Sequence, residues 1–421
     1  MESGNERIGD YLFRQCDFYS DLIALRFLRD GRQIKITYAQ LQELGVDIGV
    51  GLLKAGLWPG ARAALVGTTT PEWVIAFCAV HFAGMIDVSY DDHADSGVIL
   101  NLIRETECRV LFSDRAHLLE ELVSILPGVT LVHLSWKIVD RSAGYITLAD
   151  LRKRGRRAGG KLRRLQKARE ERLHADPASI LYKRPDPVHR TQHAVVQTHH
   201  NILFNVQSLA SIFPVSENDT ILMSQPLSHS SGRMGLYLAF DNAAPLCLSA
   251  PDSFLDDLNR YEPTIILAGP TMLALFMQRI RAGSTGESLF NILMRRLYLR
   301  VSRLWQRLEA YIFEEKGEPG QTTDPLNWLT LFFIIPLLAL LFPARLLGDF
   351  LYRHEIRKAL GTRVRAIISG GAQFPDKLDS FFQTMGVPVL AGYWMTEAAH
   401  VIACRRLEYT GQRSRLRPGT V

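Results

Sequence analysis

The chain is 421 residues long, 47% apolar and 22% charged, which excludes disordered, fibrous and disulfide-scaffold classes and leaves room for more than one ordinary domain. Its formal net charge of +6 does not describe a nucleic-acid-binding face, because residues 152 to 172 hold eleven Lys or Arg against two Glu, leaving 38 basic and 41 acidic residues elsewhere. The five cysteines, Cys16, Cys78, Cys108, Cys247 and Cys404, form no CxxC pair and no zinc-ligand spacing with histidine, as expected in a reducing cytoplasm.

The first residues, MESGNERIGDYLFRQ, lack a basic region followed by an apolar one, so no secretory leader is expected. From Thr37 to Asp91, helix-period stretches such as YAQLQELGVDIGVGLLKAGL alternate with short apolar runs, ARAALVG and MIDVSY, separated by Gly and Pro. That rhythm predicts βαβ units, and it returns at CRVLFSD, TIILAGP, VRAIISGG and VPVLAGY. The fold class expected is α/β, with two stacked, mostly parallel sheet subdomains, flanking helices and a smaller β-rich part. The boundary is expected near residue 175: 1–175 as a first α/β subdomain ending in a charged connector helix (152 to 172), and 176–421 as a second carrying the nucleotide site.

Residues 328 to 344, WLTLFFIIPLLALLFPA, are apolar apart from Thr330 and contain Pro336. At seventeen residues the run sits at the lower limit of a spanning helix. Leu346, Leu347, Phe350, Leu351 and His354 make an amphipathic continuation, so a helix pair lying in the membrane interface fits better than a span, and a buried core helix is the competing reading. The localisation expected is cytoplasmic, peripheral at the inner face of the membrane, with no nucleic-acid partner.

SGGAQFP (Ser369 to Pro375) follows the apolar run VRAII, and GYWMTEAAH (Gly392 to His400) follows VPVL. Each places glycines, exposed amides and polar groups just beyond a strand, where open α/β sheets bind ligands. SGGA followed by GYxxTE at this distance resembles the adenine and phosphate signatures of the adenylate-forming superfamily. ITYAQL (36 to 41), PEWVIAFCAVHFAGMIDVSYD (71 to 91), PLSHSSGR (226 to 233), YEPTIILAGPTML (261 to 273) and the final RPGTV resemble its long-chain fatty acyl-CoA synthetase branch, in family order along nearly the whole chain.

That resemblance implies a long-chain fatty acid–CoA ligase, an AMP-forming enzyme using ATP, Mg²⁺ and coenzyme A as co-substrate. It places Gly370, Gly371, Ala372 and Gly392 around the adenine, with the ring of Tyr393 stacked on it. It puts Thr396 on the phosphates, Glu397 on Mg²⁺ and His229 beside the acyl site. A His in such a turn equally serves as a satisfied structural residue.

Four departures bear on activity. The family's glycine-rich phosphate loop belongs after ASILY (178 to 182), ahead of a Val and a Thr-His-x-Asn. Tyr182, Val195, Thr198, His199 and Asn201 are in place, but KRPDPVHRTQH (Lys183 to His193) stands between them with no glycine and two prolines. Phosphate cradling needs converging backbone N–H groups, and Pro185 and Pro187 each remove one. Also, Trp394 occupies a usual glycine position and Gln373-Phe374 a usually small or proline-containing pair. The chain ends at Val421, just after RPGTV, so the small C-terminal domain with its lysine is expected to be absent. The expectation is an impaired or inactive ligase; the alternative is a non-catalytic, membrane-associated fatty-acyl or nucleotide binding pseudoenzyme.

Overall fold

The computed structural model describes residues 6–90, 93–137, 143–182, 193–213, 215–282, 289–314 and 325–405. The chain forms two compact units: Met1–Ala250 with Trp394–Ile402, and Pro251–Tyr393 with Ala403–Val421.

In the first unit α1 (Ile8–Phe18) precedes the hairpin of β1 (Ile23–Arg29) and β2 (Arg32–Thr37). Its two-residue turn, Asp30-Gly31, has φ of 51° and 75°, as the DG turn type demands. Then follow α2 (Tyr38–Lys54), β3 (Arg62–Val66), α3 (Pro71–Phe82), β4 (Ile86–Ser89), α4 (Ser96–Glu105), β5 (Val110–Ser113), α5 (Ala116–Val123), β6 (Thr130–His133), β7 (Ile146–Thr147), α6 (Leu148–Arg156), α7 (Lys161–Glu170), β8 (Pro177–Tyr182) and β9 (Ala194–Thr198). Seven strands form one sheet in the order β7-β6-β5-β3-β4-β8-β9, parallel except for β9, which runs antiparallel to β8 at the edge. The strands read as continuous apolar runs because helices cover both faces. α3 is buried at every residue, which is why PEWVIAFCAVHF shows no polar face. After α8 (His199–Ile212), β10 (Ile221–Met223), α9 (Ser230–Asp241) and β11 (Leu246–Leu248), the unit adds parallel pairs of β10 with β11 and of β11 with β1.

The basic run 152 to 172 differs from a solvated connector: it resolves into α6 and α7, both packed on the first unit. A Cβ on Gly155 would lie 1.7 Å from the Asp47 carbonyl oxygen, and one on Gly51 would lie 2.2 Å from that of Leu151, so α6 crosses α2 in backbone contact that only glycine permits. Three of the run's cations find acids on neighbouring helices: Lys161 with Asp47 at 2.6 Å, Arg152 with Glu43 at 3.1 Å, and Arg169 with Asp10 at 2.6 Å; Lys153, Arg154, Arg156, Arg157, Arg163, Arg164 and Lys167 are exposed, as the sequence suggests.

The second unit contains α10 (Phe254–Tyr261), β12 (Ile265–Leu267), α11 (Pro270–Ala282), α12 (Leu289–Glu314), α13 (Pro325–Gly348), a π turn (Asp349–Arg353), α14 (His354–Leu360), β13 (Ala366–Gly370), α15 (Asp376–Thr384) and β14 (Val389–Met395). β12, β13 and β14 are successive parallel neighbours. The chain leaves this unit after Tyr393, forms a 3₁₀ turn (Thr396–Ala398) in the first, and continues as β15 (His400–Cys404). The mostly parallel α/β architecture is as the sequence predicts, with ARAALVG, MIDVSY, CRVLFSD, TIILAGP, VRAIISGG and VPVLAGY carrying β3, β4, β5, β12, β13 and β14. The 328 to 344 run lies within α13, which continues through Pro336 and Pro343. It is not a buried core helix: Phe332, Ile335 and Leu340 are 72%, 58% and 75% exposed.

Candidate nucleotide site

In the second unit, β13 and β14 pair in parallel with Ser369 opposite Ala391 and Gly370 opposite Gly392. Register therefore brings SGGA, at the carboxyl end of β13, alongside Gly392 and Tyr393 within β14, although Gly371 and Gly392 are 21 positions apart in the chain. Gly371 has φ of 84°, a left-handed conformation that a side chain disfavours, and with Ala372 it is exposed beyond the strand. Tyr393 is 52% exposed. The Ser369 hydroxyl is buried at the strand end without a hydrogen-bond partner. The loop and its neighbouring strand thus offer glycine backbone and an aromatic face, which suits a purine ring.

In the first unit, the Thr396–Ala398 turn is held from three sides. Gln197 on β9 donates to the Thr396 carbonyl at 2.7 Å, and Asn205 on α8 donates to that of Ala398 at 3.1 Å and accepts from the Val401 amide at 3.1 Å. The Thr396 hydroxyl lies 3.3 Å from that of Ser230, the first residue of α9. The N-terminal end of a twelve-residue helix supplies free amides and partial positive charge beside Thr396, an arrangement that favours a phosphate. His229 is the N-cap residue of α9 and half-buried. Glu397 is exposed on the turn. No group of three or more His, Cys, Asp or Glu that could hold a metal occurs among the described residues. One accessible carboxylate still fits Mg²⁺, which takes one or two carboxylates and completes its shell with water and phosphate oxygens.

Gly232 and Arg233 of PLSHSSGR have structural work that sequence reasoning missed. A Cβ on Gly232 would stand 2.1 Å from the Pro226 carbonyl oxygen, so the strand-to-helix turn closes only on glycine. Arg233, 2% exposed, reaches Asp87 at 2.5 Å, Ser89 at 2.7 Å and the Leu227 carbonyl at 2.6 Å. Its guanidinium lies 4.7 Å from the Trp73 ring and 4.2 Å from that of Phe77. Burial alone would raise the Asp87 carboxyl pKa; the Arg233 charge, with His81 bonded at 3.0 Å, holds it well below the usual range. Thr198 and Asn201 form a reciprocal cap on α8, and His199 accepts from the Ile8 amide at 3.2 Å, so Thr-His-x-Asn is a structural element here. Residues 183–192 lie outside the described residues.

His199 and His400 are both buried and pushed down to about 3, by burial first, then by His81 and Arg172 around His199 and by Arg233 near His400. In the unfolded chain they titrate near about 6.5, so between these values the unfolded state binds more protons. Their contribution is full above about pH 6.5 and is lost as pH falls toward 3, at about 1.4 kcal/mol per pH unit for each. His199→Gln is expected to flatten the pH dependence of urea unfolding in that window by about one proton; an unchanged slope would show that His199 charges normally in the fold.

An α/β body with a glycine loop and an aromatic ring on adjacent strands, and a Thr-Glu turn beside a helix N-terminus, has the makings of a nucleotide-activating protein. The chain belongs to the AMP-binding enzyme family, whose profile matches residues 12–182 and 191–421. The chain is 23% identical over 409 residues to a chloroplastic long-chain-fatty-acid–[acyl-carrier-protein] ligase of Arabidopsis thaliana, covering 92% of this chain and 55% of that protein. It is 22% identical over 410 residues to a Homo sapiens long-chain-fatty-acid–CoA ligase, covering 92% and 51%. The chain thus spans about half the length of the curated relatives it matches. Its fold matches an anthranilate CoA ligase in complex with anthranoyl-AMP (TM-score 0.65, 16% identity, 99% of this chain and 63% of that one). It also matches the N-terminal domain of FACL13 from Mycobacterium tuberculosis (TM-score 0.62, 17% identity, 94% and 77%).

Proposed function

We propose that this chain is the adenylating body of a long-chain fatty acid ligase, one that joins a fatty carboxylate to AMP and passes the acyl group to a thiol of coenzyme A. The observation that carries this reading is the register of Gly370 against Gly392, which sets the glycine loop beside Tyr393. On this reading Gly370, Gly371, Ala372 and Gly392 receive the adenine, and Tyr393 stacks on it. Thr396 bonds a phosphate oxygen from a turn fixed by Gln197, Asn205 and Ser230. His229 stands at the acyl side. Mg²⁺, taken up by Glu397 together with phosphate oxygens, would offset charge on the triphosphate while the carboxylate attacks the α-phosphorus and pyrophosphate departs.

The same reading holds the phosphate side to be weak, because Lys183–His193 has no glycine and the family match is interrupted over residues 183–190. That interruption favours a second reading, a pseudoenzyme that binds acyl group or nucleotide without turnover. Calorimetry tests the binding half: AMP and adenosine are expected to bind nearly as well as ATP. Tyr393→Ala should weaken all three by roughly 5- to 100-fold, since base stacking on an aromatic ring is worth about 1–3 kcal/mol. A strong preference for ATP over adenosine, or no effect of Tyr393→Ala, would overturn this assignment.

A further inference from the structure

The 328 to 344 run accounts for only part of the apolar surface of the second unit. Leu289, Phe290, Leu293 and Leu297 on α12 are 79%, 68%, 60% and 50% exposed, and α12 carries them at helical spacing along one side. Its opposite side is buried, with Tyr298 and Leu299 at 4% and 5%. α13 packs along α12: the Tyr298 hydroxyl donates to Asp349 at 2.5 Å, and a Cβ on Gly348 would meet the Tyr298 ring at 2.2 Å. Farther along, Trp305 packs on Phe342 with centroids 6.0 Å apart and receives Arg345 at 4.7 Å. With this seam fastened at two levels, Phe332, Ile335, Leu340 and Phe350 still face outward at 72%, 58%, 75% and 81% exposure. That is a large number of exposed apolar side chains for one helix pair, and large exposed apolar areas mark protein or membrane interaction sites.

Cations accompany the apolar side chains. From Leu289 to Arg307 the sequence has five arginines and no acid. Arg296 and Arg300 are exposed on α12, and Arg279 and Arg281 lie in the last turn of α11. Burial first, then the charges of Arg303 and Arg296, push the Arg281 pKa down. Arginines crowded this closely repel one another unless an anionic partner covers them. A second copy of the chain would bring the same charges face to face, whereas a leaflet with anionic headgroups meets both the apolar and the cationic demand.

We propose that the α12–α13 hairpin is a monotopic docking element that lays its outer side into an anionic leaflet, with Arg296 and Arg300 at the headgroups. The stretch Ile334–Arg353 is long and apolar enough to cross a membrane and only 11% buried. To span, however, it would have to break the Tyr298, Trp305 and Gly348 contacts that bind it to α12, so it lies in the plane of the interface. The test is flotation of the full chain with vesicles of phosphatidylcholine, alone or mixed with phosphatidylglycerol. The parent is expected to float with the mixed vesicles and to release as salt is raised. Arg296→Glu with Arg300→Glu should cut binding to mixed vesicles by roughly tenfold or more. Leu340→Ser with Phe350→Ser, at positions 75% and 81% exposed, should abolish flotation while leaving the thermal unfolding curve unchanged. A parent that stays in solution, as monomer or as a dimer built on the hairpin, overturns the proposal, and so does either variant floating like the parent.

Discussion

Replacing Arg233 with methionine is expected to destabilise the first unit by about 3–5 kcal/mol, more than any surface change in the chain, because it strands the Asp87 carboxylate in a dry interior. Asp87 is 0% exposed and its remaining partners are His81 and Ser89. Neither supplies the fixed positive charge that now outweighs the burial penalty on its ionised form. The pair also joins α9 to β4 across 146 residues of sequence, so its loss loosens the turn on which Ser230 and Thr396 meet. The control is the double variant Arg233→Met with Asp87→Leu, which removes both charges and should recover much of the loss. Asp87 also makes the unit acid-sensitive. Its folded pKa is depressed, so its contribution is present above about pH 4 and disappears as pH falls below that value. Urea unfolding at neutral pH reads the first claim directly. A single variant within about 1 kcal/mol of the parent would mean that the interior solvates Asp87 by other means.

The parts of this architecture that could be read from the chain are those governed by local pattern. Apolar runs ending in small residues marked β3, β4, β5, β12, β13 and β14, because parallel strands buried on both faces cannot alternate in polarity. SGGA was legible for the same reason, since it falls where β13 ends, whereas GYWM, expected just beyond a strand, lies within β14, which runs on to Met395. Long-range pairing carried no such signal. Gln197, Asn205 and Ser230, which hold the Thr396 turn, lie 199, 193 and 166 residues from their partners. Each is an ordinary polar residue until the fold assembles. Arg233 sat in plain view in PLSHSSGR, but its partner on β4 is an isolated aspartate in an apolar run. That buried carboxylate is a usable cue, because an acid inside a strand covered on both faces requires a cation from elsewhere. The run 152 to 172 read as solvent-facing because charge dominates it. Its fit against α2 depends on Gly51 and Gly155, which sequence periodicity does not mark as contacts.

The polypeptide with its present Lys183–His193 segment is expected to form acyl adenylate no faster than about tenfold above its own Glu397→Ala variant, because on the proposed reading a segment with no glycine and two prolines stands where the family places its phosphate loop. A loop of converging amides stabilises the charge that develops on the phosphates as pyrophosphate leaves, and removing a single preorganised donor commonly costs about 10² to 10³ in rate. Lys183, Arg184 and Arg190 carry positive charge, but a point charge without the converging amides attracts ground state and transition state alike. Attraction of that kind lowers the Michaelis constant and leaves the chemical barrier in place. The decisive variant replaces residues 183–193 with a Thr, Ser and Gly-rich segment ending Pro-Lys-Gly, between the intact flanks Tyr182 on β8 and Val195 on β9, which are already paired through Leu181 and Val195. Fatty-acid-dependent ATP/pyrophosphate exchange should then rise by about 10² or more over the parent, with little change in AMP affinity. Exchange by the parent well above its Glu397→Ala control would show that residues 183–193 form a working phosphate site of their own. A grafted loop that raises ATP affinity without raising exchange would place the defect elsewhere in the transition state and not in the loop.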